Sequence, residues 1–414
     1  MKKTLFLKVN LLILMLAVSA GVIFFACAFM GRLPKDITVN GVEVGGKTYA
    51  AAAKAVRDGI EEGLKTKSLV VCGKKNRYEF TYPEITYRDN LQILLKNAKK
   101  GGNYTAEVKY YLNGIDEISK YICADESMPV VEPYAEFNAE GEPFTYYAGN
   151  DGVKADRVKL LSDIRASLAG GFEEVSVNTD TVARKKSLQE VRYDTRLLSS
   201  FVTYFDGDNV PRSHNIRLAA EFINGCVLKN GAGFSFNSVV GKRTAERGFK
   251  KAKIIENGEF VEGTGGGVCQ VSTTLFNAAL LAGCKITEFH QHSLAVSYVP
   301  PSYDAMVSGT YYDLKFENKT GKPLYIRAFT GRNYIRFCIY GRGDGAQYDY
   351  SSRVVESLPA PEETTSDISL VKEGRDGTVS EGYITITRGA VKTTKLFRRD
   401  KYAPVKRVVL EEES

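Results

Sequence analysis

The chain has no tryptophan and only three histidines, His214, His290 and His292. Without tryptophan it lacks the best side chain for stacking on sugar rings, although 24 tyrosines remain. With three histidines, any imidazole chemistry is confined to three positions. No two of the seven cysteines form a CxxC pair, and their spacing has no disulfide framework. A cysteine-paired zinc site is therefore excluded, and no metal is expected. The glycine run at 263–267 is not followed by Lys-Ser or Lys-Thr, so it is no phosphate loop. Nor is there a cofactor-binding signature; the expectation is no cofactor. The formal net charge of +7 is dispersed and no nucleic-acid-binding motif accompanies it, so nucleic acid is not an expected partner.

Charge is also missing from a run at about 11–30, which follows Lys2, Lys3 and Lys8. Roughly 20 apolar residues can cross a bilayer core, and preceding positive charge keeps the N-terminus inside. Residues 1–36 thus read as a cytoplasmic start and membrane helix, with the rest extracytoplasmic. Ala26-Cys27-Ala28 resembles a cleavage site, which makes a cleaved signal and a secreted protein the alternative.

After that run the pattern is mixed α+β. Ile37 to Val44 reads as strand, Asn40-Gly41 turn and strand, and Thr48 can cap an alanine-rich helix through about Glu62. A second hairpin surrounds 73–76. Short helices follow near 91–99 and 157–168, each ended by paired glycines. This gives an α+β domain over about 37–192. From about 200 to 345 comes a second α+β domain: a helix at 214–228, a hairpin around Asn257-Gly258, a helix from Cys269 to about Gly283, then an antiparallel sheet. Its expected strands are 293–299, 311–317, 324–329 and 334–340. A polar linker at 346–368 leads to a small β unit at 369–414.

The chemistry concentrates in the second domain. Gly265-Gly266-Gly267-Val268-Cys269-Gln270 places a thiol at the start of an apolar helix. There the helix dipole and free amides favour a thiolate. His290 and His292 follow on what reads as a strand, two apart and so on one face. Downstream carboxylates are Asp304 and Asp313. Cysteine, histidine and aspartate in that order can form a thiol triad, the imidazole taking the proton and the carboxylate fixing its tautomer. The candidates are Cys269 as nucleophile, His292 or His290 as base and Asp313 as orienter. The same cysteine can equally be a packed structural residue. The basic cluster around Lys242, Arg243 and Arg247, with Gln270 beside the thiol, is the candidate ligand site; as an anion site it would take carboxylates or phosphates, while a solvated charged face is the plainer reading.

Residues 200–345 resemble the VanW family. The resemblance rests on Phe234-Ser235-Phe236-Asn237, Val240-Gly241-Lys242-Arg243-Thr244, Gly265 to Leu275, His290-Gln291-His292-Ser293, Tyr298-Val299-Pro300, Asp304-Ala305 and Asp313 to Asn318. Residues 37–192 resemble the peptidoglycan-binding domain that often precedes VanW, and 369–414 resemble a shortened G-five module. Phe289 departs from the pattern, since the family usually carries arginine before the first histidine, and so does Pro300-Pro301-Ser302-Tyr303. The resemblance implies a cell-envelope protein that binds peptidoglycan or its precursors, as an accessory of the vancomycin-resistance type. It leaves the reaction undefined: a thiol enzyme on a wall-peptide amide and a non-catalytic scaffold are both open.

Overall fold

The computed structural model describes residues 31–256, 259–309 and 311–411. The membrane helix expected at 11–30 lies outside them. Among the described residues no helix is long and apolar enough to cross a membrane. The architecture is mixed α+β, built from many small sheets.

Backbone contacts divide the chain into two units, 31–132 with 149–185, and 133–148 with 186–411. In the first, the expected Asn40-Gly41 turn joins strands Ile37–Val39 and Val42–Glu43. Asn40 and Gly41 have φ of 49° and 81°, the left-handed pair a tight hairpin requires. Thr48 Oγ1 accepts from the Ala51 amide at 3.3 Å and starts the helix Tyr49–Lys65. The unit holds two small cores: one around Ile37, Val56 and Leu91, the other around Val71, Ile122 and Ile164.

The second unit has one larger core. Its main sheet is antiparallel, in the order Leu197–Tyr204, Tyr334–Gly341, Leu324–Thr330, Val227–Leu228. Helices Val210–Ile223 and Val268–Leu281 pack on it. The second of these is buried from Gln270 to Leu280, its uncharged polar residues included.

Two expectations change. The segment 293–299 is not a strand, and Lys285–Glu288 ends before His290. The two histidines are therefore not held to one face. Tertiary contacts shape the segment instead: Gln291 Nε2 donates to the Lys401 carbonyl at 2.8 Å, and the Ala403 amide to the Ser293 carbonyl at 2.8 Å. The expected linker begins as a long strand, Gln347–Leu358, paired with Gly377–Arg388, which pairs with Val391–Tyr402. Tyr348 and Tyr350, on alternate positions, turn towards the core and anchor that strand.

Candidate active site

The helix Val268–Leu281 carries Ser272, Thr273, Thr274 and Asn277, all buried. Buried polar groups need partners, and three of these grip one segment. Ser272 Oγ donates to the Ala305 carbonyl at 2.5 Å, Thr273 Oγ1 accepts from the Ala305 amide at 3.0 Å, and Asn277 Nδ2 donates to the Tyr303 carbonyl at 2.9 Å. Asp304 is thereby clamped on both sides against the helix that bears Cys269.

Asp304 is 1% exposed and fully engaged. Its Oδ2 accepts from the His292 amide and faces His292 Nδ1, both at 2.7 Å. Its Oδ1 accepts from the Tyr402 hydroxyl at 2.5 Å. Arg398 Nη2 stands 3.6 Å from Oδ1, and Arg398 Nη1 donates to the Asp304 carbonyl at 2.6 Å. Arg398 is itself paired with Asp400 and lies over the Phe289 ring at 4.8 Å. Burial pushes the Asp304 carboxyl up, but His292, Arg398 and Tyr402 outweigh it and hold it below its ordinary value.

His292 is 4% exposed. With Nδ1 committed to Asp304, Nε2 is the nitrogen left to face Cys269, whose charge acts on the ring. Burial pushes the imidazole down, yet Asp304 and Cys269 raise it to about 9. Cys269 is partly exposed, and its Sγ lies 3.3 Å from the Val307 carbonyl oxygen. Burial pushes the thiol up; His292, the Val307 backbone and Arg243 pull it further down, so it titrates below an ordinary thiol. The opposite shifts of the two partners favour a proton on the ring over one on the sulfur, with the carboxylate behind the ring.

Asp313 is not that carboxylate. Its oxygens accept from Ser235 Oγ at 2.6 Å and from the Asn237 and Leu314 amides, both at 2.8 Å. It ties a turn together, and Asp304 stands where Asp313 was expected. His290 points elsewhere too: its Nε2 meets Glu288 Oε1 at 3.1 Å and its ring packs near Tyr312. Gln270 is 1% exposed and bonded internally, donating to Thr203 Oγ1 and the Tyr204 carbonyl, both at 2.9 Å. Its Oε1 accepts from Arg212 Nη2 at 2.7 Å. Gln270 thus positions Arg212 rather than reaching a ligand.

Cys269 and His292 line an open groove of about 1470 Å³, shared with Lys242 and Arg243. Arg247 is not on that wall; its guanidinium sits 4.8 Å over the Phe222 ring. Arg212 and Tyr298 do line the groove and were not expected from the sequence. Arg212 lies two helices away in sequence terms, and only the packing of Val210–Ile223 beside the glycine loop brings it in. Among the described residues no group of three or more histidine, cysteine or acidic side chains could hold a metal ion. The six described cysteines are all free thiols.

The fold thus brings Cys269, at a helix N-terminus, together with a buried imidazole and a carboxylate behind it. Residues 211–340 match the family model described as VanW like protein. The chain is 49% identical over 134 residues to uncharacterized protein YoaR of Bacillus subtilis, covering 32% of this chain and 44% of that protein. It is 32% identical over 111 residues to vancomycin B-type resistance protein VanW of Enterococcus faecalis, covering 26% of this chain and 40% of that one. The chain thus matches less than half the length of either relative. A solved structure described as "Crystal structure of HP0197-G5" aligns with 16% of this chain and 99% of its own at 24% identity; its TM-score of 0.11 carries no weight for the fold.

Proposed function

We propose that this VanW domain performs thiol-dependent acyl transfer on an amide bond of a cell-wall peptide. The observation that carries it is Asp304 behind His292 with Cys269 at the groove. The Cys269 thiolate attacks the carbonyl carbon, and the amide of Cys269, at the helix N-terminus, lies beside the oxygen that becomes negative. The C–N bond breaks and the amine leaves with a proton from His292. Water or a second amine then attacks the thioester carbonyl and gives a proton to His292; the C–S bond breaks and the thiolate and imidazolium are restored.

The setting is the cell envelope: anchored by the N-terminal apolar run, outside the cytoplasm, with residues 37–192 engaging peptidoglycan or its precursors. The vancomycin-resistance relative and the charge-free run support this placement. Purified protein mixed with isolated wall peptides should give a Cys269-linked acyl adduct or a processed peptide by mass spectrometry, and Cys269→Ser should give neither thioester nor product. Identical peptide profiles for the two proteins would refute the enzymatic reading. Sedimentation with isolated walls tests binding, and a protein that stays in the supernatant at every salt concentration contradicts it.

A further inference from the structure

The glycine loop before Cys269 is shaped by two arginines. Gly265, at φ +89°, would put a Cβ 2.9 Å from Arg243 Cβ. Gly267, at φ +104°, would put one 3.1 Å from Arg212 Cγ. The stems of Arg243 and Arg212 therefore lie against opposite ends of the loop, and only glycine allows both to approach so closely. Their heads reach the groove that holds Cys269.

Neither guanidinium has a carboxylate partner within ion-pair distance among the described residues. Arg212 donates from its side chain to Gln270 Oε1 at 2.7 Å, and Arg243 to Asn237 Oδ1 at 2.6 Å. Each guanidinium has five N–H donors, so most of each fork is left for a ligand. Burial pushes both below the ordinary arginine value, while Cys269 and the nearby Asp206 and Asp313 raise them less. Both are half-buried, and partly desolvated charge without a counter-charge is relieved by a bound anion. The groove wall repeats the bias, with Lys242, Lys253 and Arg375 beside the pair and Asp206 as its one acid among the described residues. The buried hydroxyl of Tyr298, with Thr273 and Arg212 near it, makes no well-formed hydrogen bond among the described residues.

We infer that Arg212 and Arg243 form a carboxylate-recognition site flanking Cys269, so that the groove selects an acyl donor with a free carboxylate close to the bond it transfers. This rests on the acyl-transfer reading for its role but not for its existence. A planar guanidinium fork matches a carboxylate's two oxygens. Bound so, the substrate anion sets the carbonyl at the sulfur, and Tyr298 gains an acceptor.

Two reagents of nearly equal size test the site: iodoacetate, an anion, and neutral iodoacetamide, with alkylation of Cys269 followed by peptide mapping. The ratio of iodoacetate to iodoacetamide rates should exceed that of a small free thiol at the same pH. Arg243→Gln should lower it by roughly tenfold or more, mainly through iodoacetate. A ratio equal to the free thiol's and unmoved by Arg243→Gln overturns the carboxylate site while leaving a reactive thiol intact. Inertness to both reagents overturns the acyl-transfer reading instead. The site then stands or falls on calorimetry with Cys269→Ala, which should bind an acetylated dipeptide acid and not its amide; equal or no binding of the two overturns it.

Discussion

His292 Nδ1 and Asp304 Oδ2 stand 2.7 Å apart in a pocket where neither side chain is more than 4% exposed. The same carboxylate oxygen also accepts from the His292 amide. One group thus fixes both the ring and the backbone that carries it. Asp304→Asn keeps the shape and removes the charge. The imidazole should then titrate lower and the thiol higher, and alkylation of Cys269 by iodoacetamide at pH 7 should slow by roughly tenfold or more. An unchanged rate would mean that Asp304 only packs.

The tail reaches into this arrangement. Tyr402 donates to Asp304 Oδ1 at 2.5 Å and accepts from the buried Ser302 amide at 2.8 Å. Tyr402→Phe strands both, so it should lower stability by about 1–3 kcal/mol. It should also slow Cys269 alkylation, because Asp304 loses one of its restraints. Chemical denaturation and alkylation rates read the two effects separately; a loss of stability with no change in rate would make Tyr402 structural alone.

Much of this could be read in the sequence, and the misses have physical causes. The Asn40-Gly41 hairpin and the Cys269 helix are local: turn chemistry and apolar periodicity specify them. The carboxylate was misassigned because Asp304 and Asp313 are alike in spacing and type. What separates them is the grip of Ser272, Thr273 and Asn277 on residues 303 and 305, a tertiary fact. The strand read through His290 and His292 stops because contacts from Lys401 and Ala403, over a hundred residues away, take over the backbone. Arg212 carried no signal near the motif, since only helix packing brings it to the glycine loop.

Gly267 tests the loop's geometry. Its φ of +104° disfavours any side chain, and a Cβ would meet Ile216 Cγ1 at 3.0 Å and Arg212 Cγ at 3.1 Å. Gly267→Ala should cost about 1–2 kcal/mol from the backbone alone, and should also displace Arg212. A variant that melts and alkylates like the parent would contradict the close approach.

Stability should depend on pH through the same pair. The Asp304 carboxyl is held below its unfolded value, so its contribution is present above about pH 4 and is lost as pH falls through the lowered value. His292 is raised to about 9, so its contribution is full below about 6.5 and is lost as pH rises through 9. Melting temperature should therefore decline on both flanks, and Asp304→Asn should flatten both. Parallel curves for the two proteins would show that the pair is not linked to folding.

In the proposed mechanism Cys269 rests as a thiolate beside His292. Thiolate absorbance in the ultraviolet, followed against pH for the protein and for Cys269→Ser, gives the titration of that one sulfur by difference. A step well below the ordinary thiol value of about 8.5 is expected, moved upward in His292→Ala. A step at or above 8.5 in the parent, unmoved by His292→Ala, would contradict it.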